Sequence, residues 1–122
     1  MKNKKIVFQD MNIREIEYIS FPKHMIDENK EYFCFSVSGN GMINVGIKDN
    51  DIVVFEAVNY LDNADIGCVI VDGQPMCKRY FYNKDYRLHI LQYEDGKQPP
   101  ILVNEKQSFK ILGKLVMKLN KL

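Results

Sequence analysis

The sequence predicts a mostly β fold, an antiparallel sheet with little helix, on three observations. Apolar residues recur with a period of two rather than with a helical period. The apolar stretches are short and rich in β-branched residues. Residue pairs that favour tight turns separate them. The 122 residues, 46% of them hydrophobic, are enough for one domain with its own core and too few for two.

The elements follow in chain order. Phe33, Phe35 and Val37 alternate with Tyr32, Cys34 and Ser36, the pattern of a strand with one buried face. Asp51 to Phe55 and Ile66 to Val71 are nearly all apolar, as strands covered on both sides are. Asp72-Gly73 makes a hairpin turn into Met76 to Tyr82, and Asn83-Lys84-Asp85 turns the chain into Tyr86 to Tyr93. Asp95-Gly96 and Pro99-Pro100 then mark a loop before the short strand Ile101 to Val103. Together these segments read as an antiparallel meander. Helix is confined to single turns in Pro22 to Glu31 and Ala57 to Asp65.

The C-terminal stretch carries two patterns. Lys106, Lys110, Lys114 and Lys118 are spaced like the wet face of a helix, but Phe109, Ile111, Leu115, Met117 and Leu119 all fall on odd positions and the lysines on even ones. Gly113 would also weaken a helix by about 1 kcal/mol relative to alanine. A long strand is therefore expected, with the lysines on a solvated edge.

Charge and composition exclude several classes of function. Seventeen Lys and Arg against sixteen Asp and Glu leave a net charge of +1, so no overall field draws the chain onto nucleic acid or an anionic membrane. The longest apolar runs are far short of the roughly 20 residues that a membrane-spanning helix needs, so a soluble protein is expected. Met1 to Lys5 has the charge of a signal-peptide start, but Gln9 and Asp10 interrupt Ile6-Val7-Phe8 before an apolar segment forms, and a cytoplasmic location is expected. Cys34, Cys68 and Cys77 form no C-x-x-C pair, and His24 and His89 lie far apart, so neither a zinc site nor any other cofactor is expected. Asp49-Asn50-Asp51 lacks the further acidic ligands of a calcium loop and reads as a turn. His24 and His89, with no carboxylate or cysteine partner at catalytic spacing, read as surface or strand-face histidines. Tyr80, Tyr82, Tyr86 and Tyr93 read as cross-strand packing rather than a base-stacking platform, since basic residues would have to share their face.

Val37-Ser38-Gly39-Asn40-Gly41-Met42, followed by Gly46-Ile47-Lys48-Asp49-Asn50-Asp51 and the apolar run Ile52-Val53-Val54, resembles the signature of the LexA/UmuD-like serine peptidases, the peptidase S24-like family. That family's pattern is a strand ending in V-S-G-x-S-M, then G-I-x-x-G-D and an apolar strand. Upstream, Ile16 to Pro22 and Glu31-Tyr32-Phe33 are similar to the segments before the signature. Downstream, Asp65 to Val71 resembles its G-D-x-V-V-V strand, Met76 to Tyr80 its V-K-R strand, and Ile111 to Val116 its closing strand. The resemblance implies a fold like the C-terminal domain of LexA and of phage repressors. It divides the chain into an N-terminal segment, residues 1–12, in place of the cleavage-loop region, and an S24-like domain, residues 13–122.

In the family a neutral lysine takes the proton of a serine hydroxyl as the oxygen attacks a peptide carbonyl. Lysine normally holds its proton to about pH 10.4, so this chemistry needs a desolvated site. The matching general-base position here is Lys78, which alternation would place on the same face as Met76 and Tyr80. The matching nucleophile position is Gly41, which has no hydroxyl. Ser38, three residues away, belongs with Gly39, Asn40 and Met42 to the expected substrate cleft, and Gly39 reads as a backbone position needing positive φ or close approach. Cys77 should point to the other side of the sheet.

Self-cleaving members also carry an Ala-Gly or Cys-Gly scissile pair before the first matched strand, and neither Ala57 nor Ala64 precedes a glycine. The residues ahead of the match are too few for a helix-turn-helix, so no direct DNA binding by this chain is expected, although a fragment of a longer repressor would look the same. Two readings of different kinds follow. One is a non-catalytic domain acting in dimerisation or regulatory protein binding, with an SOS-type or transcriptional role and an expected homodimer through the apolar residues Phe109, Ile111, Leu115 and Met117 of a terminal edge strand. The other is a serine-lysine self-cleaving peptidase captured as a nucleophile mutant.

Overall fold

The computed structural model describes residues 3–9, 16–22, 27 and 29–119, and side chains for 27 and 29–119. Among the described residues nine strands form one sheet: β1 (Asn3–Gln9), β2 (Ile16–Pro22), β3 (Tyr32–Ser36), β4 (Ile52–Ala57), β5 (Ile66–Val71), β6 (Gln74–Asn83), β7 (Leu88–Gln92), β8 (Ile101–Val103) and β9 (Phe109–Leu119). Their order across the sheet is β2-β1-β3-β4-β9-β5-β6-β7-β8. All neighbouring pairs are antiparallel except β1 with β3. The predicted mostly antiparallel β fold is therefore what is observed. Asn3–Gln9, assigned from sequence to a segment ahead of the domain, pairs with both β2 and β3.

The turns form where the sequence places them. Asp72 and Gly73 both adopt positive φ, 48° and 84°, as a two-residue hairpin turn of the primed kind requires, and Val71 pairs with Gln74 across it. At the next turn Asn83 Oδ1 accepts the amides of Asp85 and Tyr86, at 3.0 and 3.1 Å. Ala57 to Asp65 holds no helical turn: it leaves β4 and runs to β5 as turn and irregular chain. Pro22 to Glu31 lies largely outside the described residues, and His24 lies outside them entirely. Among the described residues the helical turn is a 3-10 turn at Ile43–Val45, which was not expected.

Only β5 to β8 form a meander. The last strand breaks it by inserting between β4 and β5, so β9 is central rather than an edge. Its alternation is also interrupted: one bulge skips Val116 opposite Val54 and Phe55, and another skips Leu112 opposite Cys68 and Val69. Its odd-numbered residues accordingly serve three core clusters. Phe109 and Ile111 pack with Leu61, Val69, Val71, Tyr80, Leu91 and Val103; Leu115 with Phe35, Val53, Phe55 and Cys77; Met117 and Leu119 with Cys34 and Val54. The expectation that Phe109, Ile111, Leu115 and Met117 lie on a terminal strand of the sheet is corrected on this point. β9 runs between two strands, but Phe109–Ile111 pair with β5 alone, Leu115–Leu119 with β4 alone, and Gly113 and Lys114 with both, while all four side chains are half-buried in the chain's own core. Lys114 and Lys118 lie 3.7 Å from Asp65 and Asp51.

A second correction concerns β3. Cys34, Phe35 and Ser36 are all buried, so both faces of the strand are covered. Phe35 joins the large cluster under the loop that follows β3, while Cys34 packs against Val54 on the other side.

Candidate functional site

The loop between β3 and β4, residues 37–51, is closed at its base by the amides of Val37 and Asn50, which donate to the carbonyls of Asp51 and Val37, both at 2.8 Å. Within it Gly39 adopts φ +85°, the first of the two readings open for it, and donates its amide to Asp49 Oδ1 at 2.7 Å. Asp49 in turn donates its amide to Asn40 Oδ1 at 3.0 Å. Asp51 is only 5% exposed; its Oδ2 accepts the Lys48 amide at 2.9 Å and faces Lys118 Nζ. The Asp49 carboxylate thus sets the backbone at Gly39, while that of Asp51 holds the turn itself at Lys48. Met42 and Ile47, 2% and 1% exposed, anchor the loop in the core.

The chain just after β7 forms the opposite wall. Glu94 donates its amide to the Gly41 carbonyl and accepts the Asn44 amide, both at 2.8 Å. Its carboxylate is held by Arg79 Nε and by Gln92 Nε2, the latter at 3.2 Å, and Arg79 Nη1 reaches the Ala64 carbonyl at 2.6 Å. Tyr93 is thereby fixed next to Gly41 on a backbone tied down immediately beyond it.

Ser38, Gly39, Asn40, Gly41, Met42, Lys78 and Tyr93 line a single cleft of about 400 Å³, with Cys77 and Gln98 also on its walls. Lys78, on β6, is half-buried. Its Nζ donates to the Cys77 carbonyl at 3.1 Å and sits 4.5 Å from the centroid of the Tyr93 ring. Burial pushes the Lys78 pKa below the ordinary lysine value, while the neighbouring Cys77 thiol and the Asp95 carboxylate oppose that shift. Asp95 is a firm anion, its pKa lowered to about 2 by hydrogen bonds from the Gln98 side chain and then from the Gln98 and Lys97 amides.

A Cβ placed on Gly41 would lie 4.0 Å from Lys78 Nζ. It would also lie 2.9 Å from Tyr93 Cδ1 and 3.3 Å from Cε1. Gly41 has no left-handed backbone, so the lack of a side chain there reflects space and not φ. The positions matched to nucleophile and base are therefore adjacent, but one bears only hydrogen and an aromatic ring presses on it.

No other nucleophile is set up in the cleft among the described residues. Ser38 is exposed, and the hydrogen bond of Lys78 goes to Cys77 rather than to Ser38. The Cys77 thiol is packed in the core and its pKa is pushed up to about 12 by burial, so it stays protonated. Met42 belongs to the floor, since its side chain is in the core. Met76 lines the cleft beside Lys78 as expected, whereas Tyr80 does not: it is buried in the core, its hydroxyl 2.8 Å from His89 Nδ1. The aromatic surface over Lys78 comes instead from Tyr93, which sequence reasoning missed. The tyrosine is visible in the sequence, but its contact with Gly41 depends on a pairing between distant segments that no local pattern encodes.

A sequence profile of the family described as Peptidase S24-like matches residues 4–116. The chain is 32% identical over 99 residues to the LexA repressor of Clostridium acetobutylicum, covering 81% of this chain and 46% of that protein. It is 33% identical over 101 residues to the LexA repressor of Clostridium kluyveri, covering 82% of this chain and 47% of that protein. Against the LexA repressor of Caldicellulosiruptor saccharolyticus it is 35% identical over 99 residues, covering 80% and 46%. The chain spans about half the length of the curated relatives it matches.

Proposed function

Since the chain belongs to the peptidase S24-like family, we propose that it is a regulatory domain of LexA type that works by association, either with a second copy or with a regulatory protein, and not by cleaving peptide bonds. The setting we infer is cytoplasmic and concerned with transcriptional repression of the SOS type, on the resemblance to proteins named LexA repressor. One observation carries the reading: the position facing Lys78 is Gly41. Acyl transfer by a serine-lysine pair requires an oxygen that can add to a carbonyl and a neutral amine within reach to take its proton. The amine is here and the oxygen is not.

Two measurements on the unaltered chain test the reading. Prolonged incubation at about pH 9–10, where lysine begins to lose its proton, should leave both the chain and an added LexA-type cleavage peptide at full mass; a cut in either contradicts it. Sedimentation velocity at tens of micromolar, alone, should give a dimer. A monomer would remove self-association and leave only the regulatory partner.

A further inference from the structure

The contact between Tyr93 and Gly41 goes beyond a missing hydroxyl. A side-chain atom at position 41 would stand 2.9 Å from Tyr93 Cδ1, closer than carbon atoms approach without something moving. Cδ1 lies near the root of the ring, and the backbone that carries it cannot readily withdraw: Glu94, the next residue, is bonded to Gly41 through its amide, to Asn44 through its carbonyl and to Arg79 through its carboxylate. The ring is also engaged by Lys78, whose Nζ lies 4.5 Å from its centroid, where the quadrupole attracts an ammonium.

We propose that Tyr93 is a positioning residue that closes the nucleophile's seat. Its ring fills the volume a serine side chain would need and holds the Lys78 side chain against its face, so Gly41 and Tyr93 form one interlocked pair, and a hydroxyl introduced at position 41 alone cannot be seated beside Lys78. The proposal rests on reading position 41 as the nucleophile's seat. It implies that the peptidase geometry can be recovered only by changing both residues, as expected where glycine and tyrosine have been fitted to each other, and not where one residue of a working site has been replaced.

The test uses the full chain with G41S, Y93A and G41S/Y93A, each treated with a fluorophosphonate probe at about pH 9–10. In the labelling step the introduced oxygen forms a bond to phosphorus, fluoride leaves, and the hydroxyl proton passes to neutral Lys78 Nζ. Labelling is expected for G41S/Y93A, with G41S at least about tenfold slower, as a misplaced reacting group would be, and Y93A unlabelled. Equal labelling of G41S and the double variant, or none in a folded double variant, overturns the proposal.

A second measurement does not depend on chemistry. In a double-mutant cycle on urea midpoints, G41A should destabilise the chain when Tyr93 is present and be close to neutral in the Y93A background; additive effects overturn the proposal. The two levels of the account fail separately. Cleavage by the unaltered chain would remove the non-cleaving reading, whereas rapid labelling of G41S alone would leave that reading standing and remove the role given to Tyr93.

Discussion

Position 41 illustrates what a single residue in a sequence can and cannot disclose. Gly41 and Lys78 were legible because each sits in a short motif whose spacing is local. Tyr93 was not, because its meaning lies in a contact across the cleft. Asp51 falls between these cases: its turn was readable, but not that its carboxylate would be buried under the loop and accept the Lys48 amide. Asp51→Ala should cost about 1–3 kcal/mol in urea denaturation, because it removes a buried carboxylate that accepts the Lys48 amide and faces Lys118. Lys118→Gln should cost under about 1 kcal/mol, since that partner is partly solvated. The cysteines are a further case. Cys34, Cys68 and Cys77 are free and buried, and desolvation pushes each pKa up to about 12. None of the three should react with a thiol reagent in the native chain near neutral pH, and all three should react in denaturant.

Most strands were legible as elements, since turn chemistry and apolar runs are local signals. The faces of β3 and β9 were not, because burial of Cys34 and the two bulges of β9 are imposed by neighbouring strands. The β6–β7 pair carries a pH dependence that belongs to this scale. His89 on β7 stacks on Phe109 at 3.9 Å between ring centroids, adjoins Tyr82 and shares a hydrogen bond with Tyr80, and burial lowers its pKa below the ordinary imidazole value. The unfolded chain therefore takes up this proton at a higher pH than the folded one. The stability contributed by neutral His89 is present above the unfolded value of about 6.5 and declines as pH falls through it toward the lowered folded value. Urea midpoints should drop on acidification across this window, and His89→Phe should drop less.

Across the whole molecule, the least legible feature was strand order. The family resemblance carried the overall architecture, yet the insertion of β9 between β4 and β5 is a pairing of chain segments far apart in sequence, which periodicity cannot see. That insertion moves β9 away from the end of the sheet, although Leu115–Leu119 pair with β4 alone among the described strands. It also builds the cleft: β9 ties β4, which closes the loop of Ser38 to Gly41, to β5 and through it to β6, which carries Lys78. The sheet thus assembles a peptidase-like cleft around a position that bears no reactive group. The most direct test is the intact mass and peptide map of the unaltered chain after long exposure to a fluorophosphonate at about pH 9–10. The expected result is an unchanged mass, and a phosphonyl adduct on Ser38 or any other residue lining the cleft would contradict it.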